Sequence, residues 1–187
     1  MPRSHSTSAD AGTIRVRRAT RNDLETLFGH RQRMWTDMGT YSRRQVAAAG
    51  PRSRAWIRTE VRAGRYLGFV AETPSGAVAG SGAIWLHPVQ PFPGPRPRPD
   101  APYILSMYTV PEFRGRGVAR RLVREMIRWA RRRGYRRITL HASKQGGPVY
   151  RAVGFVETNE MRYNLIGFGG VPASSPAAPS TRRKPSK

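Results

Sequence analysis

Cysteine is missing from this 187-residue chain, and acid is scarce: 11 aspartates and glutamates stand against 34 lysines and arginines, a formal net charge of +23. Without cysteine there is no disulfide framework, no thiolate nucleophile and no thiolate metal site. The four histidines, His5, His30, His87 and His141, are too scattered for ligand spacing, so no metal is expected. Long apolar runs are also lacking. No stretch approaches the roughly 20 residues of a membrane helix, and the opening "MPRSHSTSADAG" has no apolar signal core. The expectation is a cytoplasmic protein that does not engage a membrane.

The surplus of positive charge attracts anions: nucleotides, acidic headgroups, nucleic acid or a phosphorylated cofactor. Arginine heavily outnumbers lysine, however, and Ala, Gly and Pro abound, a pattern that GC-rich coding also produces. Charge alone therefore does not choose the partner. The length fits one domain with a real core.

Residues 1–12 are small and polar, and 169–187 form a Pro/Ser/Ala-rich tail with a basic finish, so both are expected to be disordered around a domain at 13–168. "TIRVRRAT" alternates as a half-buried strand does, and Thr20 with Asp23 opens a helix. Leu24, Leu27, Phe28, Arg31, Met34, Trp35 and Met38 keep helical spacing up to Gly39. Ser42 and Gln45 form a second capping box, and "RAWIRTEVRAG" supplies another helical stretch. "YLGFVAE" and "AVAGSGAIWL" read as a hairpin joined by "TPSG". A Pro-rich loop leads to the strand "YILSMYTV"; after a long helix come the strand "RRITLHA", a short helix "PVYRAV" and terminal strand material in "GFVETNEMRYNLI". The order β-α-α-β-β-β-α-β-α-β-β gives an α/β domain, a mixed sheet with helices on both faces.

The arginine-dense segment "PEFRGRGVARRLVREMIRWARRRGY" splits in two. Over 118–132, Val118, Ala119, Leu122, Val123, Met126, Ile127, Trp129 and Ala130 share one half of the helical wheel, and Arg120, Arg121, Arg124, Arg128, Arg131 and Arg132 the other. Those arginines read as a solvated face. The preceding "RGRGVA" differs, because it joins a strand directly to a helix. Its glycines let the backbone approach a ligand with several N–H groups aligned, a cradle for phosphate.

At these residues the chain resembles the GCN5-related N-acetyltransferase family, whose signature [QR]-x-x-G-x-[GA] lies between its fourth strand and third helix. Arg114, Gly117 and Ala119 match the fixed positions, and "GGPVYRAVGF" resembles the later family motif, with Tyr150 at its tyrosine and Gly154-Phe155 after it. The resemblance implies a mostly antiparallel sheet splayed between strands 4 and 5, with acetyl-CoA as cosubstrate in the opening. It implies that backbone groups at Thr109 and Val110 meet the pantetheine arm. The turn Arg114, Gly115, Arg116, Gly117, Val118 and Ala119 would hold the pyrophosphate, and Tyr150 would serve as acid to the CoA sulfur. Ser143 stands where many relatives carry Asn against the pantetheine arm.

Acetyl transfer to an amine also needs a proton acceptor, because an amine arrives protonated. Glu72, His87, His141 and Glu160 are the candidates, with Glu112 facing outward in the turn and a water chain as the alternative. Trp35, Met38 and Tyr41, with Ser106 and His141, are candidates for the acceptor pocket. The sequence does not name the acceptor, and it leaves a homodimer open. The rivals are a non-catalytic acetyl-CoA binder and a nucleic-acid binder, the latter disfavoured because no reading helix or aromatic platform is evident.

Overall fold

Alternation along the strands places the core on two faces of one sheet. The computed structural model describes residues 13–90, 93 and 98–161, and its compact unit ends at Glu157. The elements run β1 (Arg15–Arg18), α1 (Leu24–Met38), α2 (Arg43–Arg62), β2 (Tyr66–Glu72), β3 (Val78–Pro88), β4 (Asp100–Thr109), α3 (Val118–Arg132), β5 (Thr139–Leu140) and α4 (Gly147–Arg151). The sheet keeps sequence order from β1 to β5. Its first four strands are antiparallel, and β5 joins β4 in parallel.

On β2, Tyr66 and Val70 face α1 and α2, where they meet Leu27, Phe28 and Ile57. Phe69 and Ala71 face the other way, toward Val118, Leu122, Val123 and Met126 of α3. This period of two is what a sheet covered on both sides requires. Gly80 seats the start of α3: a Cβ there would lie 2.7 Å from the Tyr108 carbonyl oxygen and 2.9 Å from Val118 Cγ1. The expected wheel of α3 is observed, with Leu122, Val123, Met126, Trp129 and Ala130 buried and the named arginines exposed apart from the helix's apolar half.

α2 runs unbroken from the Ser42–Gln45 box through Pro51. Pro51 is exposed, so the carbonyl left without its helical amide can turn to water. The strand expected from "RRITLHA" shrinks to Thr139–Leu140, because β4 offers it only two partners. Residues 154–161 contain no strand. The remainder of that segment, both chain ends and most of the Pro-rich loop lie outside the described residues.

Two buried polar groups tie the helices to the sheet. The Asp23 carboxylate accepts from the Thr20 amide (2.6 Å) and hydroxyl (2.8 Å), and from both Arg17 Nη atoms (2.8 and 3.0 Å). The Arg17 bond above all holds its pKa down to about 2. His30 Nδ1 lies 2.8 Å from Ser81 Oγ on β3, and burial pulls its pKa down to about 4, aided by Arg33.

Both folded pKa values lie below their unfolded ones, so both contributions are present at neutral pH and fade in acid. The His30 contribution declines from about pH 6.5 toward 4, and the Asp23 contribution from about pH 4 toward 2. Urea midpoints measured against pH should show both windows. Asp23→Asn should remove the lower window and cost about 2 kcal/mol at neutral pH; His30→Gln should flatten the upper one.

Candidate functional site

An extra residue in β4 opens the site. Ser81 pairs with Tyr108 and Ala83 with Leu105, so Ser106 and Met107 together face the single residue Gly82. Ser106 takes φ +55°, an uncommon conformation for a residue with a Cβ. Such a bulge bends its strand. β5 pairs with β4 only at Tyr103–Thr139 and Ile104–Leu140. Beyond Ile104, β4 has no strand partner on that side among the described residues.

The Val110 amide donates to the Ala79 carbonyl on β3 (3.0 Å). By the alternation of an antiparallel ladder, the Thr109 N–H therefore points the other way, into the parting. The Thr109 carbonyl accepts from Arg114 Nε at 3.2 Å. Arg114 also pairs with Asp37 at the end of α1, and its guanidinium lies 5.8 Å from the Tyr108 ring centroid. This side chain braces the turn against α1, while Arg116 lies over Phe113.

Gly115 and Gly117 both take φ +76°, and an added Cβ at either would meet nothing within 4 Å. The glycine requirement there is conformational, and the space in front is open. Gly117 is the N-cap of α3 and provides no capping side chain. The first helical bond from Arg121 reaches the Gly117 carbonyl, so the amides of Val118, Ala119 and Arg120 have no helical acceptor. The helix dipole adds partial positive charge at this point. Uncapped amides, open space and the unpaired Thr109 amide suit an extended, amide-bearing arm that ends in phosphate.

Tyr150 stands on α4, its ring edge-on to Phe155 at 5.9 Å. Its hydroxyl makes no hydrogen bond to a described residue, and burial, with Tyr103 nearby, pushes its pKa up to about 12. The phenol therefore stays protonated throughout the physiological range. Ser143 Oγ accepts from the Gly146 amide at 3.1 Å, and its carbonyl from the Gly147 amide at 2.9 Å, so it shapes the entry to α4.

His141 bonds the Tyr103 hydroxyl through Nδ1, and His87 approaches the same tyrosine with ring centroids 6.0 Å apart. Two of the candidate bases are thus brought together near the start of the parting. Glu72 is not: it pairs with Arg17 at the β1–β2 end of the sheet, three strands from β5. Glu112 and Glu160 are exposed.

A cavity of about 400 Å³ lies between α1 and α2, lined in part by Arg31, Gln32, Trp35, Tyr41, Gln45 and Ser53. Trp35 and Tyr41 meet edge to face at 5.4 Å. Met38 is exposed and outside the lining. Ser106 is buried and accepts from Arg31 Nη1 at 2.9 Å. Arg31, which the sequence placed only in the α1 stripe, and Ser53 were not among the expected pocket residues. The available signal was a charged residue within the otherwise apolar stripe of α1.

A model of the acetyltransferase (GNAT) family matches residues 27–155. Among solved structures, a GCN5-related N-acetyltransferase from Ralstonia eutropha JMP134 superposes with a TM-score of 0.73 at 27% identity, covering 82% of this chain and 99% of that one. A Clostridium acetobutylicum protein described as a predicted acetyltransferase, solved with acetyl-CoA, gives 0.71 at 26% identity, covering 82% and 97%. The aminoglycoside acetyltransferase AAC(6')-Iy, bound to a bisubstrate analogue, shares the fold with a TM-score of 0.59 at 21% identity, covering 82% and 97%. No curated protein sequence matches. The strand-to-helix turn, the parted strands and the family match over most of the domain agree: this chain belongs to the GNAT acetyltransferase family.

Proposed function

We propose that the protein transfers an acetyl group from acetyl-CoA to a primary amine by direct attack, with Tyr150 as the acid that protonates the departing sulfur. The observation that carries this reading is the parting of β4 from β5, with free amides along one wall and a protonated phenol on α4. Acetyl-CoA supplies the activated acyl group as a thioester. The amides from Gly115 to Ala119 bind the pyrophosphate, with the arginines of the turn adding positive potential. The Thr109 amide and the neighbouring backbone at Val110 orient the pantetheine arm. Ser143 supports that wall through the entry to α4.

The transfer forms one C–N bond and breaks one C–S bond: an ammonium acceptor first releases one proton to solvent, the attacking nitrogen then loses a second, the sulfur gains one, and the phenol that gives it regains a proton from water. Tyr150 provides the proton for sulfur. Its burial suits this role, because a phenol with pKa about 12 is not lost to ionisation at working pH. The amine's proton leaves to water near His141, an exposed titratable group beside Tyr103.

Two variants test the two halves of the proposal. Gly117→Asp puts a side chain on a left-handed residue and a negative charge at the phosphate site, so calorimetry should show acetyl-CoA affinity falling at least about 10-fold. Wild-type affinity would remove the turn from the site. Tyr150→Phe should keep acetyl-CoA affinity but slow transfer by roughly 10²- to 10⁴-fold. In the wild type, kcat/KM should rise with pH as the amine becomes neutral and show no Tyr150-linked fall by pH 10. An unchanged rate in Tyr150→Phe when chemistry limits turnover would remove the phenol from the mechanism.

A further inference from the structure

The cavity between α1 and α2 contains a cation that has no carboxylate partner among the described residues. Arg31 is half-buried, and its guanidinium bonds only to hydroxyls: Nε donates to Ser53 Oγ at 3.0 Å and Nη1 to Ser106 Oγ at 2.9 Å. Burial pulls its pKa below the ordinary value, as desolvation does to a cation. Several arginines that tie elements together meet carboxylates: Arg17 meets Asp23 and Glu72, Arg65 meets Glu60, and Arg54 and Arg58 meet Glu25. Arg18, also desolvated, packs on Phe69 and is outside the lining of this cavity. The Arg31 guanidinium also lies over the Trp35 ring, 5.7 Å from its centroid, but a desolvated charge that meets hydroxyls and a ring face alone is costly until an opposite charge completes its surroundings.

The two serines fix the guanidinium plane without neutralising it. Nη2 makes no hydrogen bond to a described residue, so the Nη1–Nη2 edge remains available for a planar pair of oxygens. Among the described residues no acidic side chain lines the cavity, and Trp35 and Tyr41 give it an aromatic wall. Ser106, which holds Arg31, is also the bulge residue just beyond the last β4–β5 pairing. The cation therefore adjoins the opening in which transfer is proposed.

We propose that the amine acceptor carries a carboxylate, bound by Arg31 in this cavity, with its apolar part against Trp35 and Tyr41. This rests on the acetyltransferase reading and deepens it. The charge count favours a carboxylate over a phosphate monoester, because the lining offers one cation and a phosphate brings close to two negative charges. It disfavours polycationic acceptors such as aminoglycosides, which would meet Arg31 with no acid in the lining to answer their charge.

The test compares phenylalanine, leucine and 4-aminobutanoate, each as the free acid, the amide and the decarboxylated amine, with acetyl-CoA and thiol detection. Acids should be preferred by about 10- to 100-fold in kcat/KM, chiefly through KM, as a charge-assisted contact implies. Arg31→Gln should abolish that preference and Arg31→Lys should retain part of it, while acetyl-CoA affinity reports that the fold is intact. Binding of the N-acetylated acids and amides, measured by calorimetry with and without CoA, reads the same discrimination without turnover.

Equal use of acids and amides, or a preference that survives Arg31→Gln, would overturn the carboxylate assignment while acetyl transfer stood. Preference for phosphoserine over the carboxylates would overturn the choice of anion. If acetyl-CoA did not bind and no amine were acetylated, the acetyltransferase reading would fail. The N-acetyl binding series would then still decide whether Arg31 selects carboxylates.

Discussion

One extra residue in β4 organises the site. Were β4 regular, its edge could continue in register with β5, and the amides between Leu105 and Thr109 that point away from β3 would be spent on a ladder. The bulge at Ser106 and Met107 coincides with the end of that pairing after Ile104. Buried backbone groups need partners, so an opening of this kind either fills with water or takes a ligand that replaces the missing strand. A pantetheine arm, with its own amides, has that character. Ser106 on the bulge also holds Arg31 from the helical layer, linking the parted edge of β4 to the cavity between α1 and α2.

The protein's charge divides into separate roles. Part of it lies on the solvent face of α3, where Arg128 and Arg132 share Glu125 and their neighbours meet water. Another part braces the structure: Arg17 fastens β1 to Asp23 and Glu72, and Arg114 fastens the glycine turn to Asp37. Arg31 belongs to neither group, because it is desolvated yet lacks a carboxylate. Net charge says little about partners here, whereas burial and pairing of individual arginines say much more.

Much of the fold was legible because its signals are local and periodic. The wheel of α3, the Ser42–Gln45 box and the "TPSG" hairpin each depend on a few neighbouring residues. The glycine turn was legible for a similar reason, since Gly115 and Gly117 answer a backbone conformation. The length of β5 was not, because its pairing stops next to a bulge in a strand about thirty residues earlier in the chain, which no local pattern in β5 records. Nor did the sequence show that Arg114 turns toward Asp37, that Glu72 is held at the far end of the sheet, or that Ser53 and Ser106 would converge on Arg31. Those contacts join residues that only the folded sheet brings together. Arg31 did leave a trace, as the charged member of an apolar stripe.

The central claim is that the parted edge of β4 and the uncapped start of α3 form one continuous binding surface for acetyl-CoA. Amide hydrogen exchange of the full chain, with and without saturating acetyl-CoA, tests it most directly because it reads the backbone groups themselves. The account predicts slowed exchange at Thr109 and from Gly115 to Arg120, with little change at the β1–β2 end of the sheet. Acetyl-CoA binding that left those amides unprotected, or protected the outer face of α3 instead, would contradict it.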